Sequence, residues 1–278
     1  MLKRTITALV SICVLLPILL FSQTVALPIA VAIVSFVALY EMYKCIGKSN
    51  KLYFCIPAYL FALIAPFLLR LLEGKIFIAL SFICGAIYLL YLFMITVWLK
   101  GRVRFSEVAE IFLSSIYIIS AFNSIIYIRD LENGGQYLYL LIFIGAWVTD
   151  IFAYFSGMLF GKHKLIPEVS PKKTIEGSIG GTLICALSFV AFGMVVDTFF
   201  NMNANLIFLA VSGVLVSIVA QMGDLIMSLI KREYGIKDYG KLFPGHGGIL
   251  DRFDSILSVS LMLAIICIFA GITNIRLL

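Results

Sequence analysis

The chain has 278 residues, of which 62% are hydrophobic and 13% charged, with a mean hydropathy of +1.09. A soluble domain carries about 45–50% apolar and about 25% charged residues, so a single water-soluble body is excluded, and 23 Phe, 13 Tyr and 2 Trp exclude intrinsic disorder. The formal net charge of +6 is scattered in short clusters between apolar runs, which is a pattern of membrane topology and not a nucleic-acid patch.

A helical span needs about 20 apolar residues, and the sequence predicts nine. The apolar stretch from about residue 5 to 43 is too long for one helix; Pro17, the polar Ser22-Gln23-Thr24 and Pro28 divide it into two spans joined near Ser22 to Leu27. The first of these reads as a span and not a secretory signal, because no small-residue cleavage site followed by a soluble mature domain is seen. Further spans are predicted over about 52–70, 76–99, 107–128, 137–160, 178–200, 205–230 and 254–273. The expected fold is therefore all-α and polytopic. It reads as one transmembrane domain over 1–278, with no usable motif before about 130 and the chemistry-bearing spans and loops in 137–278.

Loop charge predicts the orientation. With the N-terminus in the cytoplasm, one side receives Lys3, Arg4, Lys44, Lys48, Lys51, Lys100, Arg102, Arg104, Lys162, Lys164, Lys172, Lys173, Lys231, Arg232, Lys237, Lys241 and Arg252, seventeen of the 21 basic residues. The other side keeps Arg70, Lys75, Arg129 and Arg276. An error of one span would scramble that asymmetry. The six cysteines form no CxxC pair and only two histidines are present, so the cysteines read as small buried hydrophobes and not as zinc ligands.

In chain order, the first chemical signal is Asp150, in WVTDIFAYFSGMLFG. Asp150, Tyr154, Gly157 and Gly161 lie on one helical face; the glycines suit close helix approach, and Asp150 reads as a structural acid, a supporting group beside Tyr154, or a direct participant. Next, Ser170-Pro171-Lys172-Lys173-Thr174 runs into a glycine-rich helix start, an arrangement suited to cradling an anion or touching anionic lipid. Gln221, Asp224 and Ser228 then form a polar stripe on an apolar helix. An ionised Asp224 there needs a cation or a donor, either a metal or a structural partner such as Lys231.

The densest segment is Ser228 to Asp254. Asp251 and Asp254 lie three apart at a helix start with Arg252 between them, directly after Pro244-Gly245-His246-Gly247-Gly248, a turn whose amides can approach an anion. Lys231, Arg232, Lys237 and Lys241 precede that turn. The acids alone could be a solvated first turn complementing the helix dipole, but together with the turn and the cations they suit a metal-bound polyphosphate. Neither a GxxxxGK[ST] loop nor a GxSxG elbow is present.

Ser228-x-x-Lys231-Arg232, Lys237-Asp238-x-Gly240, Pro244-Gly245-His246-Gly247-Gly248 and Asp251-Arg252-x-Asp254 together resemble the signature of CDP-diacylglycerol synthases (phosphatidate cytidylyltransferases). Asp150-x-x-Ala153-Tyr154, Ser170-Pro171-Lys172-Lys173-Thr174 and Gly223-Asp224 are similar to that family's other shared segments, and the likeness covers about 145–255. The resemblance implies transfer of CMP from CTP to phosphatidate, giving CDP-diacylglycerol and pyrophosphate. It further implies one or two Mg²⁺ held by Asp224, Asp251 and Asp254. Charge on the substrates would be offset by Lys172, Lys173, Lys231, Arg232 and Arg252, with Ser228 and the amides of Gly245, Gly247 and Gly248 as further contacts. His246 would donate to the leaving pyrophosphate or order its loop. The expected setting is a bacterial plasma membrane with the site on the cytoplasmic side, no nucleic acid, and an oligomeric state left open, a homodimer included. Two other readings share some of these features: a CTP-dependent polyprenol or phytol kinase, and an ion-coupled transporter using Asp150 and Asp224.

Overall fold

The computed structural model describes residues 13–100, 103–243, 245, 247–275 and 277–278. Residues 13–20 are helical, and the rest of the first predicted span lies outside the described residues. The following helices are α1 (Ala26–Cys45), α2 (Leu52–Leu71), α3 (Gly74–Trp98), α4 (Phe105–Arg129), the short α5 (Gly135–Leu138), α6 (Leu140–Phe160), α7 (Ile175–Phe200), α8 (Leu206–Glu233) and α9 (Leu250–Thr273). With α5 and α6 taken as one, eight candidate spans among the described residues are long and apolar enough to cross a bilayer. The chain is a polytopic all-α membrane protein, and its helix limits follow the predicted spans within a few residues. Pro28 falls inside the first turn of α1 and does not end a helix, because a first-turn proline lacks only an N–H that has no helical partner.

The helices group into two compact units. The first comprises the chain up to Ile126 together with Ile236–Arg252, and the second Tyr127–Gly235 together with Phe253–Leu278. In the first unit polar bonds join apolar helices: the Tyr43 and Ser115 hydroxyls lie 2.6 Å apart, Tyr88 donates to the Phe54 carbonyl at 2.8 Å, and Lys48 pairs with Glu107 at 2.6 Å. Such bonds hold helices together where lipid removes the hydrophobic incentive to associate. α3 buries little beyond Tyr88 and Leu92 and turns large apolar side chains such as Phe82, Met94 and Val97 outward, as a lipid-facing helix does.

In the second unit α6, α7 and α8 pack through small residues. A Cβ added at Gly213 would lie 2.8 Å from Ala186 Cα and 3.1 Å from the Phe189 ring. Because one of those neighbours is backbone, Gly213→Val is expected to destabilise the protein by about 1–3 kcal/mol, read as a lower midpoint of thermal unfolding in detergent. A midpoint equal to wild type would show that α7 and α8 can part without cost.

The segment expected as a basic loop is a β-hairpin. β1 (Lys164–Ile166) pairs antiparallel with β2 (Ser170–Thr174), Lys164 opposite Thr174 and Ile166 opposite Ser170. Pro167 opens the connecting turn, and Pro171 is tolerated because each strand of a two-stranded sheet has a free edge. Thr174 ends the hairpin and starts α7: its hydroxyl accepts the Gly177 N–H at 3.2 Å, an N-cap bond.

Candidate functional site

The polar stripe of α8 divides its labour. Gln221 is buried, and its amide nitrogen donates to the Thr182 hydroxyl at 3.2 Å and the Ser178 carbonyl at 3.4 Å, tying α8 to α7. One turn on, an Asp224 carboxylate oxygen lies 2.5 Å from the Lys173 ammonium, with both side chains about a quarter exposed. Its other oxygen lies 3.4 Å from the Ser228 hydroxyl. The partner of Asp224 is thus a lysine of the hairpin, whereas the sequence had offered Lys231.

Two further acids share this neighbourhood. Ser255 is buried and links them, donating its backbone N–H to Asp254 at 2.8 Å and its hydroxyl to Asp150 at 3.2 Å. Asp150, Asp224 and Asp254 lie within one another's electrostatic reach, with Lys173 acting on Asp150 and Lys231 on Asp254. Gly223 permits the approach, since a Cβ there would lie 2.6 Å from Ser258 Cβ and 3.2 Å from the Asp254 carbonyl oxygen. Beside the acids opens a cavity of about 460 Å³, lined by Asp150, Asp224, Lys164, Lys172 and Lys173 together with the apolar bodies of Tyr154, Met158 and Leu165. Tyr154 and Met158 are strongly exposed. The cavity joins a wall of three lysines and two carboxylates to an apolar rim. Lys164 and Ser255 were not singled out from the sequence, because a lone lysine in a loop and a lone serine in an apolar helix carry no motif.

The signature loop belongs to the first unit. Asp251 is buried, and one carboxylate oxygen accepts the backbone N–H groups of Tyr239 at 2.8 Å and Gly248 at 2.9 Å. The Gly248 amide, expected to face an anion, is therefore engaged by the protein itself. Phe243 donates to the Gly247 carbonyl at 2.8 Å, closing the turn, and Gly245 and Gly247 adopt φ of 80° and 88°, a region side chains disfavour. Pro244 and His246 lie outside the described residues. Arg232 and Arg252 are exposed, and Lys231 and Ser228 are half-buried.

The expected metal ligands thus fall in both units, Asp224 and Asp254 in the second and Asp251 in the first. Among the described residues, no three His, Cys, Asp or Glu side chains are grouped tightly enough to enclose a metal by themselves.

A family model described as the cytidylyltransferase family matches residues 2–270. The chain belongs to the cytidylyltransferase family. Three of its relatives, each named phosphatidate cytidylyltransferase, are similar over nearly their whole length. The Staphylococcus haemolyticus protein is 37% identical over 275 residues and the Staphylococcus saprophyticus protein 35% over 275. The Staphylococcus aureus strain COL protein is 37% identical over 274. Each alignment covers 95% of this chain and 98% of the relative. The family match includes α1 to α4 as well as the region from Asp150 to Asp254. The N-terminal helices, which carry no motif legible in the sequence, thus lie within the residues that the family model matches.

Proposed function

We propose that this cytidylyltransferase is a phosphatidate cytidylyltransferase, condensing CTP with phosphatidate to give CDP-diacylglycerol and pyrophosphate. The observation that carries the reading is the near-full-length identity to relatives bearing that name, and the cavity of the second unit has the chemistry to match. A phosphatidate phosphate oxygen attacks the α-phosphorus of CTP. The new O–P bond forms as the bond to the bridging oxygen of the β-phosphate breaks, and pyrophosphate leaves with the electron pair. The nucleophile is already an anion, so no strong base is needed; catalysis requires charge neutralisation and in-line placement. Lys164, Lys172 and Lys173 offset phosphate charge along the cavity wall, while Tyr154, Met158 and Leu165 receive the glycerol and the first acyl carbons.

The donor set fits Mg²⁺ in the mode where one or two carboxylates share the ion with substrate phosphates: Asp150, Asp224 and Asp254 bring hard oxygen donors within one another's electrostatic reach. Asp224 with Asp254 or Asp150 would hold the ion, which when bound would neutralise the triphosphate. Asp251 organises the signature loop. The seventeen-to-four division of basic residues supports a cytoplasmic N-terminus and a cytoplasmic site where CTP is available, and the staphylococcal relatives support a bacterial plasma membrane.

The test is the fate of label. Purified protein in phosphatidate-containing nanodiscs is expected to move cytosine label from CTP into lipid and to release γ-phosphate label as pyrophosphate. EDTA should stop both and added Mg²⁺ restore them. Label entering lipid only from the γ-phosphate would replace this reading with a lipid kinase.

A further inference from the structure

Glu41 is a buried acid that the chemistry above does not use. It lies near the end of α1, in a stretch that is otherwise almost entirely apolar, and is 4% exposed. One of its carboxylate oxygens accepts the Ile249 N–H at 3.0 Å and the other the Leu250 N–H at 2.9 Å, across 208 and 209 residues of sequence and within the same unit. These two amides open α9. The first amides of a helix have no partner inside it, and a carboxylate both satisfies them and complements the positive end of the dipole. Leu250 is fully buried and Ile249 nearly so, so neither amide has water to fall back on.

The surroundings are shaped to this carboxylate. A Cβ at Gly240 or at Gly248 would collide with it. Asp251 meanwhile reaches back to the amides of Tyr239 and Gly248. Two acids thus secure four amides of the segment 239–250, and only one of the two belongs to the signature itself. The other comes from a helix in which no motif was legible.

We propose that Glu41 is a positioning residue for cytidylyl transfer: the carboxylate of α1 fixes the Ile249 and Leu250 amides where the signature segment enters α9, next to the Gly248 amide that Asp251 holds. The inference rests on the reading of the chain as a phosphatidate cytidylyltransferase. Glu41 touches neither substrate nor reacting atoms; it acts through Ile249 and Leu250.

The experiment compares Glu41→Gln and Glu41→Asp with wild type in nanodiscs, and with Lys48→Met as a control that breaks the partly exposed Lys48–Glu107 pair of the same unit. Glutamine keeps the volume but places an NH₂ group against a backbone N–H, so kcat is expected to fall about 30-fold with KM for CTP and phosphatidate changed less than about threefold, the span of losing one charge-assisted hydrogen bond. Amide hydrogen exchange should rise in the peptide containing Ile249 and Leu250 and stay at the wild-type level in the rest of α1. Lys48→Met should lower the unfolding midpoint while leaving kcat within about twofold of wild type. A further pair guards against a variant that simply misfolds. Gly248→Ala should lose activity by collision with Glu41, and Glu41→Asp/Gly248→Ala should recover part of it because the shorter acid makes room, a non-additivity of about tenfold.

A Glu41→Gln enzyme with wild-type kcat and unchanged exchange at 249–250 overturns the proposal. So does a loss of kcat that Lys48→Met reproduces at an equal unfolding midpoint, since Glu41 would then serve stability alone. Wild-type protein without cytidylyl transfer would overturn the functional reading beneath it, whereas the exchange measurement on the same samples separately decides whether Glu41 anchors the loop.

Discussion

Asp224→Asn is expected to reduce cytidylyl transfer by about 10³-fold or more, the scale on which loss of a charged group at a phosphoryl-transfer centre is felt, while the protein remains folded in the membrane. Asparagine keeps the shape of the side chain and its reach to Ser228, so packing is preserved. What is lost is the charge that pairs with Lys173 at 2.5 Å and that adds to the field of Asp150 and Asp254. Lys173 retains Asp150 within electrostatic reach and is about a quarter exposed, so it is not left as a dry uncompensated ion. The check is the initial rate of cytosine-label incorporation into lipid, together with monodispersity in detergent. A variant within tenfold of wild-type rate would remove Asp224 from the centre of the chemistry.

Asp251 is expected to behave differently, because its visible work is done on the protein. Asp251→Ala removes the acceptor of the Tyr239 and Gly248 amides and should cost about 10³-fold in rate, since two buried donors are left unsatisfied and the loop loses its course. Asp251→Asn still offers one oxygen that can accept both N–H groups as neutral hydrogen bonds, about half as strong as the charge-assisted ones, so a loss of about tenfold is expected. The two variants assayed side by side separate two roles. Equal and complete loss in both would show that the negative charge itself is required, returning Asp251 to the cation-holding set implied by the resemblance.

Much of the fold is legible without coordinates, and the reason is the solvent. A bilayer imposes a span length on every apolar run, so the predicted 52–70 and 107–128 appear as Leu52–Leu71 and Phe105–Arg129. The boundaries move outward because helices continue beyond the hydrocarbon until a breaker or a partner stops them. The hairpin at 164–174 was not legible: three- and five-residue strands, the second holding Pro171, offer no period long enough to read. Within the site, Asp224 stood out because an acid in an apolar helix demands compensation. The same signal was present at Glu41, but no neighbouring motif drew it into the chemistry. Asp150 was visible as an acid, yet its relation to Asp254 through Ser255 spans about a hundred residues and depends on how helices cross.

By itself, the chain determined that it lives in a membrane and how its apolar runs become helices, because hydropathy is a local property. Only the tertiary structure decided that Lys173 answers Asp224, that Ser255 joins Asp150 to Asp254, and that Glu41 caps the helix beginning at Leu250. Those pairings are set by the register and rotation of packed helices. In a lipid surrounding, many rotations bury equal apolar area, so the choice among them rests on a few polar contacts and small residues far apart in the chain.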